Sequence, residues 1–285
     1  MSNIDLKSGL TIHYSDLNPN GNPVVLLLHG LGATGESWQM QFPALIDAGF
    51  RILAPDMRGF GKSTYPGGSN NSQLMAKDMV ALLENLAIRS TQVIGISMGG
   101  TIALQLILDQ PSMIDSLVLT NTFAKLRPQK FSLWFFYAVR LALVHIFGMT
   151  KQADFVARRL FPDPKQAQLR EAFKAQVIQA NPSGYRSTMR SYTRFDLSNQ
   201  VNSIRVPTLI ITGERDSVVP PEVQIELANQ IPDAKHVFIP DAGHAVSVEQ
   251  PEEYNQIILA FLRANTNLMD PDETKFTTIE EIIHA

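Results

Sequence analysis

The chain contains no cysteine. Disulfides, thiolate metal sites and a cysteine nucleophile are therefore excluded. Neither sign of charge dominates: 24 Lys and Arg stand against 27 Asp and Glu, a formal net charge of -3 over 285 residues. That balance argues against nucleic acid or an anionic membrane as partner. An uninterrupted apolar run of about 20 residues, the length a spanning helix needs, is missing too. The nearest approach, Phe131 to Gly148, is broken by Arg140 and His145. It reads as a buried or groove-lining helix, without stable membrane insertion. Met1 to Leu10 carries scattered charges and no apolar leader core, so cytoplasmic localisation is the expectation. There is no internal repeat and no low-complexity tract.

What is present is an ordinary globular composition, 45% hydrophobic and 18% charged, in which two hydrophobic periods alternate. Val24 to Leu28 is a continuous Val and Leu run between Pro23 and Gly30, the pattern of a strand buried on both faces. Arg51 to Ala54, Thr91 to Ile96, Ser116 to Thr120, Val206 to Thr212 and Lys235 to Ile239 read as further strands. Helical spacing marks Glu36 to Ala48, Ser72 to Ala87, Thr101 to Leu108, Glu222 to Gln230 and Glu252 to Ala264. The alternation predicts an α/β fold, a mostly parallel doubly wound sheet with helices on both faces. It stops between Asn121 and Val201, where a helix around Gln166 to Gln179 and the turn signal Asn181-Pro182-Ser183-Gly184 are the readable features. Residues 1–120 and 202–264 are thus expected to form the core domain, 121–201 a helical insertion and 265–285 a peripheral tail.

Gly95-Ile96-Ser97-Met98-Gly99 falls where a buried strand gives way to a helix. A sharp turn there exposes the serine hydroxyl at the sheet's edge and aims the first amides of the helix at any anion forming beside it. Taken alone, the five residues equally describe a connecting turn. A serine nucleophile needs a base, and His244 follows a strand in the loop Pro240-Asp241-Ala242-Gly243-His244. His13 and His236 lie in strand-like runs, His145 in the insertion and His284 in the tail, which suits structural roles. A carboxylate to orient the base is found in Gly213-Glu214-Arg215-Asp216, again at a strand end. Asp216 is the choice and Glu214 the fallback, although an Asp before Pro220-Pro221 also suits a turn or helix cap. The backbone amides of Leu31, in His29-Gly30-Leu31-Gly32, and of Met98 are the expected oxyanion donors. His29 is expected to hold its loop.

These motifs, with Pro55-Asp56-Met57-Arg58-Gly59-Phe60-Gly61-Lys62-Ser63, resemble the α/β-hydrolase fold superfamily from Ile4 to Ala264. The order Ser, Asp, His is the one that fold uses. Within it the chain resembles small bacterial esterases and enol-lactonases, and the superfamily resemblance implies that 121–201 is a helical cap. One departure is Ile96, where many relatives carry His. The Arg58 to Ser63 segment is read as a structural turn. The resemblance implies a serine hydrolase acting on a small-molecule ester or lactone without metal or organic cofactor. Epoxide and haloalkane hydrolases of this fold use aspartate at the elbow, so Ser97 argues against both. Carbon–carbon bond hydrolysis, cofactor-free perhydrolysis and a ligand-binding receptor on a hydrolase scaffold are the alternatives, and a pure interaction module ranks last. The aromatic insertion suggests an apolar substrate, with Trp38, Trp134, Phe135 and Val218 as the substrate-binding candidates. Oligomeric state is left open.

Overall fold

A computed structural model describes residues 2–125 and 131–266, apart from the side chains of 131–134, 136 and 137. Its strands are β1 (Ser2–Asp5), β2 (Thr11–Leu17), β3 (Val24–Leu28), β4 (Arg51–Pro55), β5 (Thr91–Ile96), β6 (Ile114–Thr120), β7 (Thr208–Gly213) and β8 (Lys235–Ile239). They form one sheet in the order β1-β2-β4-β3-β5-β6-β7-β8. Only the β1/β2 and β2/β4 pairings are antiparallel; the others are parallel. The helices are α1 (Phe42–Asp47), α2 (Ser72–Asn85), α3 (Met98–Asp109), α4 (Phe131–Leu160), α5 (Ala167–Gln179), α6 (Pro182–Tyr192), α7 (Pro221–Gln230), α8 (Val246–Glu249) and α9 (Pro251–Ala264).

Period-two side chains explain the two hydrophobic layers. Leu26, Leu28, Val93, Leu117, Leu119 and Ile210 face one side, against α2 and α3. Their neighbours Val25, Leu27, Ile94, Val118, Leu209 and Ile211 face the other, against α1 and α9. A strand buried on both faces therefore has to be apolar throughout, which is why these runs lack alternation. In chain order β3 is followed by β4 on one side of it and then by β5 on the other. That reversal opens a crevice beyond the carboxyl ends of β3 and β5. The register sets Leu28 beside Gly95, Ile96 beside Thr120, Thr120 beside Ile211 and Gly213 beside Ile239. The loops after β3, β5, β6, β7 and β8 consequently share one edge.

Helices α4, α5 and α6 lie between β6 and β7. Gly148, at φ 75 and ψ -174, breaks α4 into two pieces, a conformation that only glycine adopts without strain. Both ends of this segment meet at a narrow neck. Lys125 bridges Asp196 in a β-bridge and at 2.6 Å in an ion pair, and the Leu197 amide donates to the Ala124 carbonyl. Lys125 and Ser198 hold the Asp196 carboxyl down at about 2, so the neck keeps its charge pair over the ordinary pH range.

Two sequence expectations change. Glu36 to Ala48 is not one helix but a 3-10 turn, Gly35–Trp38, followed by α1; Pro43 lacks the amide that a continuous helix would use there. Asn181-Pro182-Ser183-Gly184 is a helix start instead of a loop turn: the Asn181 carboxamide oxygen accepts from the Ser183 and Gly184 amides, and Pro182 takes the first helical position. Strands β1 and β2 extend the sheet with an antiparallel edge. The proposed tail lies outside the described residues beyond Thr266.

The Asp56 to Ser63 turn gains a physical role. Asp56 accepts from the Gly35 and Lys62 amides at 2.8 and 2.9 Å. The Arg58 guanidinium makes a two-pronged ion pair with Asp78, both side chains being buried. Asn70 joins the Arg58 carbonyl to Thr188 of α6. The turn therefore fastens the helical segment to the sheet.

Candidate active site

Ser97 sits between β5 and α3 with φ 54 and ψ -115, a conformation costing a serine on the order of 1–3 kcal/mol. The surrounding contacts enforce it. The Ser97 amide donates to the Thr120 carbonyl at 2.9 Å, and the Ser97 carbonyl accepts from the Thr122 hydroxyl at 2.7 Å. Gly99 carries α3 directly against β3, where a Cβ would lie 1.9 Å from the Leu28 carbonyl oxygen. The tight turn follows from that approach, and it places the hydroxyl on the shared edge.

His244 reaches the same point from the loop after β8. Its Nε2 lies 3.0 Å from Ser97 Oγ, and its Nδ1 lies 2.8 Å from Asp216 Oδ2. Asp216 is buried, and its other oxygen accepts from the Val218 and Val219 amides at 2.8 and 2.9 Å. One Asp216 carboxylate oxygen thus meets the turn amides and the other the imidazole. Glu214, the fallback, is exposed. The remaining described histidines are engaged elsewhere or point outward. His13 pairs with Asn3, His236 with Thr212, and His145 is exposed.

Sequence reasoning missed Asn121, just beyond β6. It adopts a positive φ of 45, which Asn tolerates better than most residues. Its amide nitrogen donates to the Gly243 and His244 carbonyls at 3.0 and 2.8 Å, while its oxygen accepts from the Gly213 amide at 2.9 Å. One side chain thereby fixes the spacing between the loops that carry Asp216 and His244. An Asn ending a buried strand was the only available signal.

His29 is fully buried, and desolvation holds its imidazole below the usual histidine pKa, hence neutral. Nε2 accepts from the Met57 amide at 2.9 Å, so Nδ1 carries the proton and donates to the Gly30 carbonyl at 2.8 Å. The Ala33 amide binds that same carbonyl at 3.1 Å. In a trans peptide the N–H points opposite to the C=O. The Leu31 amide is therefore aimed away from His29. Among the described residues neither the Leu31 nor the Met98 amide donates to another protein group, and both residues line the cavity in front of Ser97.

That cavity measures about 160 Å³, close to the ~150 Å³ that an engineered apolar cavity offers to benzene. Ile96, Phe123, Phe173 and Val218 contribute apolar wall, and Arg140 and Arg159 are its arginines. Of the substrate-contact candidates, Val218 lines this cavity. Trp38 does not: it is 1% exposed and packs on Tyr254 in the layer against α9, because the 3-10 turn rotates it toward the sheet. Phe135 is 62% exposed and does not line the cavity, since the outer face of α4 carries it. The Trp134 side chain lies outside the described residues. No group of three or more His, Cys, Asp or Glu suited to a metal ion occurs among the described residues, and no described helix is long and apolar enough to cross a membrane.

Comparison with known proteins agrees with this fold. The chain is 32% identical to a protein of Variovorax paradoxus named for carbamate hydrolysis, over 89% of this chain and 96% of the relative. It superposes on the enol-lactonase of Burkholderia xenovorans LB400 with a TM-score of 0.84 at 27% identity, covering 92% of this chain and 100% of that one. A thermophilic esterase of Thermogutta terrifontis gives a TM-score of 0.82 at 26% identity, covering 93% and 99%. Residues 23–251 match the family described as alpha/beta hydrolase fold, and the chain belongs to that family of hydrolases.

Proposed function

We propose that the chain is a serine hydrolase that opens small esters or lactones through an acyl-enzyme on Ser97. The observation that carries this reading is the continuous hydrogen-bonded line from Ser97 Oγ through His244 to Asp216, at 3.0 and 2.8 Å. His244 Nε2 takes the hydroxyl proton as Oγ attacks the carbonyl carbon. Asp216 keeps the proton on Nδ1 and stabilises the imidazolium. The Leu31 and Met98 amides receive the developing oxyanion, where the loss of one such donor typically costs about 2.7–4 kcal/mol of barrier. The imidazolium then protonates the departing alkoxide, and His244 activates water to release the acid. None of these steps calls on a metal or organic cofactor.

Residues 121–201 act in this reading as a cap over the cavity, and 1–120 with 202–264 as the core domain. The apolar wall and small volume favour a compact acyl group. The test is a panel of aryl esters of increasing acyl length, with lactones, carbamates and C–C cleavable diketones beside them. Short-chain esters or lactones turn over fastest on this account, and a preference for long acyl chains or diketones contradicts it.

A further inference from the structure

Glu249, at the end of α8, is unused by the chemistry above, yet it grips the loop that carries the base. Its Oε2 accepts from the Gly243 amide at 3.0 Å and its Oε1 from the Ala245 amide at 2.9 Å. The backbone amides of the residues on either side of His244 are thus held by one carboxylate. The grip also explains Gly243, where a Cβ would come within 3.1 Å of both Glu249 oxygens.

The same carboxylate is tied to the helical segment. Gln166 donates from Nε2 to Glu249 Oε2 at 3.2 Å, while its Oε1 accepts from the Asp163 amide at 3.3 Å. Gln166 is the N-cap residue of α5. Ten residues on, about 15 Å along the helix, Gln176 accepts from the Thr34 amide at 3.2 Å, in the loop that follows β3. Leu169, Ala172, Phe173 and Gln176 all line the cavity, which is the i, i+3, i+4, i+7 stripe of one helix face. Helix α5 therefore lies over the cavity like a bar, bonded at one end to the Leu31 loop and at the other, through Glu249, to the His244 loop.

We propose that Glu249 is a positioning residue for His244, and that Gln166 links its grip to the seating of α5 over the cavity. The proposal rests on the hydrolase reading for its kinetic consequences, but not for its structural ones. With Glu249 removed, two amides lose their acceptor and His244 loses its fixed distance to Ser97. Small misplacements of this kind can lower turnover about 100-fold.

The test uses the full-length protein, with active sites counted by a fluorophosphonate titrant and an aryl acetate as substrate. Glu249→Ala is expected to lower kcat per titrated site by about 10- to 100-fold with KM changed far less, and Glu249→Gln, which keeps one acceptor, to fall between it and the parent. Gln166→Ala is expected to lower kcat by a smaller factor and to add nothing in the Glu249→Ala background, as coupled neighbours do. Hydrogen exchange at the Gly243 and Ala245 amides is expected to quicken in Glu249→Ala and in Gln166→Ala, a readout that needs no catalysis. Unchanged kcat per site together with unchanged exchange in Glu249→Ala overturns the positioning role. Additive losses in the double variant overturn the link to α5. Should the parent protein neither hydrolyse the ester nor react at Ser97, the hydrolase reading falls, and amide exchange alone then decides the proposal.

Discussion

At the scale of single residues, the site depends on pairs of groups that each satisfy two demands. Asp216 caps a turn with one oxygen and bonds His244 Nδ1 with the other. Asp216→Asn keeps the turn acceptor but favours the wrong imidazole tautomer. Its kcat is expected to fall by about 10⁴-fold with the melting temperature little changed, measured on one preparation. His29 gives a second prediction, this one in pH. Burial lowers its folded pKa, so the unfolded chain binds the proton more readily. Stability from neutral His29 is complete above the unfolded value of about 6.5 and is lost as pH falls below it. Melting temperatures between pH 5 and 8 are expected to show that slope, and His29→Gln to flatten it. An equal slope in the variant would assign the dependence to other groups.

At the scale of elements, the turn from β5 into α3 is set by close backbone approach. Gly99→Ala drives a methyl into the Leu28 carbonyl, which the backbone cannot avoid without separating α3 from β3. The expected loss is about 3 kcal/mol or more, read from denaturant unfolding; a loss below about 1 kcal/mol would contradict the packing described. Elements of this kind were legible in the sequence because their signals are local. Apolar runs marked β3, β5, β6, β7 and β8, and Ser97, Asp216 and His244 each followed one of them. What escaped depends on contacts distant in the chain. Trp38 was read from helical spacing, but Pro43 and the approach of Gly35 to Ala54 break that helix and turn the indole into the core. Phe135 looked like a cavity wall because aromatic content does not say which face of α4 turns inward. Asn121 and Glu249 act on residues more than 90 positions away or across a loop, through carboxamide and carboxylate bonds that no periodicity reports.

At the scale of the whole molecule, a mostly parallel sheet with its chain reversal beside β3 opens a crevice, and five strand-end loops bring Leu31, Ser97, Asn121, Asp216 and His244 to it. The helical segment covers that crevice from a neck at Lys125 and Asp196, and Asn70 fastens it to the turn that the Arg58–Asp78 pair ties to α2. Breaking the buried pair by Arg58→Ala strands an uncompensated carboxylate, with an expected cost of about 3–5 kcal/mol by denaturant unfolding; a cost near zero would show that the turn does not anchor the assembly. The central claim is that Ser97 forms an acyl-enzyme with His244 as its base. It is tested most directly by intact-mass and peptide mapping after brief mixing with an aryl ester. The account predicts a single acyl adduct on Ser97 that decays by hydrolysis, with no adduct and no turnover in Ser97→Ala. Turnover surviving in Ser97→Ala, or an acyl group carried on another residue, would contradict it.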